Sequence, residues 1–279
     1  MKYIITKKMK TVLLELVMIL IAIIYIYPVF LMFINSLKPF GEVVLDVIAL
    51  PKQLAIQNYV DVMDKMNYRQ LFFNNIVITA IGISGIILFS ALPAYILDRR
   101  RTKYTAWTHL FIITPMLIPF QTIMITLLKV MSSIGLSGST WGLGIQYWGF
   151  GIPMATFIYF NFMKTIPKSL DESALIDGAS TLKTFISVIF PLLKSVSATV
   201  IVLNVMWIWN DFLLPLLMVN SDQKTKTLVL SAYTFVGQFN TQWHYAMTAM
   251  VLAVLPSIIF FVLLQRYIVD GVVAGAVKG

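Results

Sequence analysis

The chain has 279 residues, of which 59% are hydrophobic and only 12% charged, with a mean hydropathy of +0.85. A soluble domain carries roughly 25% charged residues, so this composition excludes a water-soluble globule, and 13% aromatic residues exclude a disordered chain. The class left is an integral membrane protein, in which a net charge of +9 reports orientation rather than nucleic acid; with no cysteine, thiolate metal sites, disulfides and cysteine nucleophiles are excluded as well.

A helix crossing the hydrocarbon needs about 20 mostly apolar residues. Such runs occupy 12–34, 76–97, 104–128, 141–163, 195–219 and 246–265, and they predict an all-α membrane protein with six transmembrane helices. The alternation of a membrane barrel is missing. Within the runs only Glu15, His109 and Asp211 place a charged or histidine side chain; Glu15, near the basic N-terminus, is set to snorkel or pair with a lysine there. The fourth run has the softest start, because Gly142, Gly144, Gly149 and Gly151 fall in its first half. Pro28, Pro93, Pro115, Pro119, Pro153, Pro215 and Pro256 lie inside the runs and predict bent helices. Membrane helices tolerate such kinks, and a bundle that opens around a pathway uses them; the prolines alone do not choose.

Fourteen of the lysines and arginines flank one side of these runs and seven the other. By the positive-inside rule both termini are expected in the cytoplasm. The first run is longer than a signal-peptide core and no small-x-small cleavage site follows it, so it is expected to stay as an anchor. No internal repeat is visible, and 1–279 reads as a single membrane domain whose function sits in its connections: external 35–70, internal 164–191 and external 219–245.

The internal connection reads as two short helices. Ser169 and Glu172 have capping-box spacing, Asp171 adds charge to the first turn, and Gly178 stands where a C-terminal glycine ends a helix of about two turns. Ser173 and Ala174 are small enough for another surface to approach, while Phe185, Val188 and Ile189 suit a segment lying on the bundle.

The string Glu172-Ser-Ala-Leu-Ile-Asp-Gly178, with Val188 and Pro191 beyond it, resembles the E-A-A-x-x-x-G-x(9)-I-x-L-P loop of ABC importer permeases. Asn35-Ser-Leu-Lys38, Gln57-Asn-Tyr59, Trp209-Asn-Asp-Phe212 and the ending Gly271 to Gly279 are similar to the carbohydrate-uptake branch, the maltose-type G subunits in particular, so the resemblance covers nearly the whole chain. Ser173, Val188 and Phe190 replace an alanine, an isoleucine and a leucine of the pattern. The resemblance implies the type I importer permease fold in a bacterial cell membrane, with a cytoplasmic coupling helix-turn-helix. It implies that Glu172, Ser173, Ala174, Asp177 and Gly178 meet a cytoplasmic ATPase subunit, and that the tail 266–279, through Lys278 and Gly279, reaches between two such subunits. Two roles fit Glu172, docking and capping of its own helix, and a frayed tail is the other reading of 266–279.

Asn204, Trp207 and Asp211 share one face of the fifth run at i, i+3, i+7. With Asn210 they are candidates for a substrate path, since rings stack on sugars and amides or carboxylates bond hydroxyls; packing or an interfacial belt are the alternatives. An intramembrane carboxylate such as Asp211 is functional by default. Tyr233, Phe235, Gln238 and Trp243 give the third connection the mixture of a partner surface, facing a solute-binding protein by resemblance, or an ordinary solvated loop. His109 and His244 have no ligand neighbours, so no metal site is expected.

No G-x-x-x-x-G-K-[ST] loop occurs, so no cofactor is expected in this chain, with ATP and magnesium on partner subunits. The expectation is a non-enzymatic permease for a sugar or oligosaccharide, partnered by a second homologous permease, two ATPase subunits, a solute-binding protein and membrane lipid, and not by nucleic acid. An ion-coupled secondary transporter is the alternative; it calls for intramembrane acids or symmetric broken helices. No triad or paired carboxylates support a membrane enzyme.

Overall fold

In lipid the backbone of an apolar run has only itself to bond, so such runs coil. The computed structural model describes residues 2–237 and 241–276, with side chains for 9–237 and 241–265, and no strand occurs among them. In chain order the helices are α1 (Lys2–Ser36), α2 (Phe40–Leu45), α3 (Gln57–Lys65), α4 (Tyr68–Arg99), α5 (Lys103–Ile113), α6 (Phe120–Ser133), α7 (Thr140–Met163), α8 (Ser169–Ile176), α9 (Thr181–Thr184), α10 (Phe190–Leu192), α11 (Lys194–Asn210), α12 (Leu213–Met218), α13 (Leu228–Ala232) and α14 (Trp243–Ala276).

Among the described residues α1, α4 and α14 are long and apolar enough to cross a membrane unaided. The third and fifth runs are not continuous, contrary to the sequence reading. α5 ends in a 3-10 turn over Thr114–Leu117 and α6 leaves at 101°, because Pro115 and Pro119 lack the donors an α-helix needs there. In the fifth run α11 stops at Asn210, Asp211 is extended (φ −69°, ψ 138°), and α12 resumes at Leu213. The fourth run departs in the opposite sense: the glycine-rich stretch is helical from Thr140, since the Ser139 hydroxyl accepts the Gly142 N–H at 3.1 Å and caps the helix. α7, at 24 residues, is about 36 Å long.

The chain divides into two units, Met1–Tyr68 with Ser231–Leu252, and Arg69–Leu230 with the remainder of α14. In the first, α1 exposes every residue from Met9 to Phe30, a surface that suits lipid and not water. At its end the strings Asn35–Lys38 and Gln57–Tyr59 interlock. Lys38, 1% exposed, donates to Asn35 Oδ1 (3.0 Å) and to the Asp46 carbonyl (2.8 Å). Asn58 donates to the carbonyls of Ser36 (3.0 Å) and Lys38 (2.8 Å), the Ser36 and Tyr59 hydroxyls lie 2.6 Å apart, and Thr248 of α14 donates to Ser36 O at 3.0 Å. A buried ammonium is tolerable when its donors are used, and here carbonyls take the place of a carboxylate.

In the second unit Ile78, Ile86, Leu143, Tyr147, Ala155, Tyr159, Val200 and Ile208 form the core between α4, α7 and α11. Gly85 lets α7 approach: a Cβ there would overlap the Trp148 indole, whose N–H donates to the Ile81 carbonyl at 2.8 Å. Any larger residue at 85 has to displace that indole or separate the two helices.

Asn58→Ala strips the Lys38 carbonyl of its side-chain donor and leaves the Ser36 carbonyl with Thr248 alone, and is expected to destabilise the first unit by about 1–3 kcal/mol, read as a lower unfolding midpoint in detergent. Gln57→Ala, which removes only an exposed bond to Asp61, is the control with little effect. The Tyr245 hydroxyl, 2.7 Å from Asp61, and then the Gln57 amide hold the Asp61 carboxyl below its ordinary value of 3.8. A depressed folded value means stability that is present above 3.8 and is lost as pH falls through the folded value; Tyr245→Phe is expected to flatten that acid limb of an unfolding titration.

Candidate functional site

The segment after α7 turns on Pro167, so that α8 begins at Ser169 with Lys168 before it in a helical conformation and no side-chain cap. The capping box expected between Ser169 and Glu172 is therefore absent: Ser169 already lies inside the helix, whereas a capping hydroxyl has to sit on extended backbone one position earlier. Ser169 instead accepts, through its carbonyl, the Ser173 hydroxyl at 2.9 Å. Glu172 is exposed and no side chain bonds it among the described residues. At the other end Gly178 (φ +78°) closes the helix: its N–H bonds Leu175 O at 3.0 Å and the Ala179 N–H bonds Ala174 O at 2.9 Å, the paired bonds of a Schellman motif. A Cβ at 178 would meet nothing within 4 Å, so the requirement for glycine is conformational and not steric.

The inner side of α8 carries a charge network. Asp171 accepts from the Tyr95 hydroxyl at 2.6 Å and from Arg99 Nε at 2.9 Å. Arg99 also pairs with Asp98 at 2.7 Å and donates to Ile166 O at 3.2 Å, and Arg101 takes the second oxygen of Asp98 at 2.8 Å. Two carboxylates and two guanidiniums balance in a site where Asp98 is fully buried, the condition under which buried charge is tolerated. Sequence reading gave Asp171 only a helix-terminal role; the string Asp98-Arg-Arg-Arg101 at the end of an apolar run was the available signal. On the outer side of α8, Glu172, Ser173 and Asp177 are exposed with Leu175 and Ile176, the last at 86%, while Ala174 is buried against the bundle. Beyond Gly178, Ser180 caps α9, a π turn spans Phe185–Ile189, and Phe185 and Ile189 join the core, Phe185 lying 5.4 Å from the Tyr95 ring.

The break at Asp211 organises a second constellation. Asp211 Oδ1 accepts the Leu213 N–H at 3.1 Å and Oδ2 the Tyr147 hydroxyl at 2.9 Å, while the Tyr147 and Trp207 rings meet edge-on at 5.2 Å. Trp207 and Asp211 line a cavity of about 190 Å³ with Phe120, Gln121 and Phe150; Trp207 and Asn204 line another of about 340 Å³ with Met116 and Met154. The expected face of Asn204, Trp207 and Asp211 is thus brought together. Asn210 is not on it: its side chain donates to Met206 O at 2.8 Å and accepts from Ser257 at 3.2 Å. Tyr147, missed from sequence, supplies the hydroxyl that meets Asp211.

In the first unit Tyr233 and Trp243 are exposed, Phe235 packs edge-on against Tyr245 at 5.8 Å, and Trp243 lines a cavity of about 320 Å³ with Asn35, Val43, Val44, Val47 and Met247. Gln238, Lys278 and Gly279 lie outside the described residues. Among those described, no cluster could hold a metal ion.

Apolar helices, two proline- or aspartate-broken segments and a short helix tied to a charged helix end define a multi-pass membrane protein. Residues 86–273 match the family described as "Binding-protein-dependent transport system inner membrane component". The chain belongs to that family, and is a transmembrane permease of the ABC importer type. It is 37% identical over 93% of its length to the probable starch degradation products transport system permease protein AmyC of Thermoanaerobacterium thermosulfurigenes, of which it covers 94%. It is 34% identical over 92% of its length to the multiple sugar-binding transport system permease protein MsmG of Streptococcus mutans, covering 93% of that protein. With the melibiose/raffinose/stachyose import permease protein MelC of Bacillus subtilis it shares 32% identity, over 98% of each chain. Its fold matches a chain in the crystal structure of a bacterial ABC transporter involved in the import of the acidic polysaccharide alginate, with a TM-score of 0.79 at 21% identity over 94% of this chain and 97% of that one.

A double-mutant cycle of Tyr95→Phe and Asp171→Asn is expected to give a coupling energy of about 1–3 kcal/mol in detergent unfolding. Asp171→Ala alone leaves Arg99 and Tyr95 short of a partner and is expected to speed tryptic cleavage at Lys168 and Lys183, which are already exposed but lie in segments held by the Asp171 contacts, while the helical circular dichroism is retained.

Proposed function

We propose that this chain is one of two permease subunits of an ATP-driven importer for a sugar or oligosaccharide, working by alternating access. The observation that carries the reading is the two-sided build of α8: its inner face is bound to α4 through Asp171, and its outer face offers Glu172, Ser173, Leu175 and Ile176. A helix held this way can receive a push and pass it on. On this reading α8 seats on a cytoplasmic ATPase subunit, which binds ATP and magnesium; this chain contributes no catalytic group. Movement of α8 pulls on α4 through the Asp171 contacts to Arg99 and Tyr95. It also acts on α11, which follows α10 at a 75° bend and carries Trp207 to the Asp211 break.

Six crossings follow if α1, α4, the bent pair α5 and α6, α7, α11 with α12, and α14 each span once. The excess of basic residues on the flanks that include 99–103 and 164–194 puts both termini and α8 in the cytoplasm. The segment 219–245, with Tyr233, Phe235 and Trp243, then faces outward to a solute-binding protein. The substrate class is supported by three relatives named for starch degradation products, multiple sugars and melibiose, raffinose or stachyose. It is supported as well by the pairing of a half-exposed Trp207 with the Asp211 carboxylate in one cavity.

A Gly178→Arg variant, which cannot adopt φ +78° without strain, is expected to insert and to keep its second permease while losing the ATPase on affinity purification. In proteoliposomes, uptake by the wild type is expected to require ATP and to survive collapse of ion gradients. Retention of the ATPase by the variant, or uptake driven by an ion gradient without ATP, would overturn the reading.

A further inference from the structure

Where α4 and α7 end and α5 begins, Leu97, Arg101, Thr102, Lys103, Thr105, Ala106, His109, Leu110, Phe160 and Lys164 enclose a groove of about 620 Å³. Its polar end holds three basic side chains and no acid. Arg101 is partly neutralised by Asp98 behind it, whereas Lys103 and Lys164 make no ion pair among the described residues. The Lys164 ammonium lies 4.4 Å from the Phe160 ring centroid and takes only the neutral Asn161 amide oxygen, at 3.1 Å. His109 lies tilted against the same ring, 4.1 Å between centroids, with its Nε2 shielded from solvent and lacking a protein partner among the described residues. A buried polar atom left unbonded calls for an outside partner, and the surrounding cations specify an anionic one.

The walls of the groove are apolar, and the helix that forms one of them, α5, turns Tyr104, Trp107 and Phe111 outward at 72–85% exposure, as a lipid-facing helix at the membrane interface does. We propose that this groove binds the phosphate headgroup of an anionic phospholipid, with Lys103, Lys164 and Arg101 around the phosphate, His109 at its inner end and the acyl chains running along Leu110 and the outer face of α5. Basic recesses between helix ends at the interface have the charge and the shape for such a headgroup. A free phosphate would use the cations but not the apolar wall, and a neutral lipid the wall but not the cations. The inference rests on the membrane setting of these helices and not on the docking role of α8.

The test uses the whole transporter, this chain with the subunits that co-purify with it, delipidated in detergent and titrated with dioleoyl phosphatidylglycerol or dioleoyl phosphatidylcholine, bound lipid being counted by native mass spectrometry. Wild type is expected to take up phosphatidylglycerol in preference to phosphatidylcholine, and excess inorganic phosphate is expected not to displace it. K103Q/K164Q is expected to bind about 25-fold more weakly, at roughly fivefold per cation removed, and K103R/K164R to bind as wild type. If the double glutamine variant loses subunits, His109→Phe, which keeps the ring on Phe160 and removes the buried nitrogen, supplies the comparison and is again expected to weaken binding. Equal uptake by wild type and variants, equal uptake of the neutral lipid, displacement by phosphate, or binding by the isolated chain but not by the assembled transporter would each overturn the proposal.

Discussion

The Asp171 carboxylate receives the Tyr95 hydroxyl and the Arg99 guanidinium within 3 Å, and through those two bonds an eight-residue helix becomes part of the bundle. Left alone, a helix of two turns is unstable in water. What makes α8 a rigid body is a definite stop at Gly178, an apolar contact through Ala174, and an electrostatic bond to the end of α4 whose strength comes from exclusion of water. The network is neutral as a whole. Removing one member costs far more than the net contribution of the pair, because a charge stays behind unpaired, so the contact behaves as a latch.

The same accounting explains the breaks in the spans. A broken helix in lipid frees backbone groups that have no water to bond, and each must be met from within. At Asp211 the carboxylate takes the Leu213 N–H. Just before it, Asn75 of α4 donates to Trp209 O at 3.4 Å and accepts the Leu228 N–H at 2.9 Å. Its neighbour Asn74 donates to the carbonyls of Lys224 and Lys226 at 2.8 and 2.9 Å. Two asparagines in an otherwise apolar helix thus hold down the irregular chain on either side of α12. Trp207 and Asp211 stay together on a cavity wall across the break.

Much of this was legible in the sequence and some was not, for identifiable reasons. Four of the six apolar runs (12–34, 76–97, 141–163 and 246–265) each lie within one helix, and the other two are helical on both sides of a break, because an unbroken apolar stretch in lipid has to bond its own backbone. The 3-10 turn at Thr114 and the extended Asp211 escaped because an average does not register one missing hydrogen bond; Pro115 and Pro119 hinted at the first, and Pro215, which cannot bond the carbonyl four residues back at Asp211, at the second. Gly178 was legible since a left-handed cap has one preferred residue. The start of α8 was not: the Ser169–Glu172 spacing fits a capping box, but the turn at Pro167 begins the helix too early for it. Asp171, Tyr95 and Tyr147 were invisible as site residues because their partners lie 64 to 76 positions away. Of the residues that helical periodicity grouped, Trp207 shares one cavity with Asp211 and another with Asn204, whereas the Asn210 side chain bonds Met206 O and Ser257.

The exposed apolar side chains of α1 and of α8 stand in two settings that physics separates. Along α1 they form an unbroken sleeve from Val12 to Phe30, interrupted by Glu15 alone among charges, and hydrocarbon or another apolar helix satisfies such a surface without a specific partner. On α8, Leu175 and Ile176 stand between Glu172, Ser173 and Asp177, and the helix is anchored to a cluster of ionised side chains. Hydrocarbon is closed to that group, since a carboxylate at membrane depth costs several kcal/mol unless paired, and Glu172 has no ion pair among the described residues. Water alone is a poor answer as well, because an isoleucine 86% exposed forgoes about 2 kcal/mol of burial. The environment that suits both kinds of residue at once is a protein cleft with an apolar floor and a basic rim, and that is the complement α8 would require of the subunit proposed above to receive it.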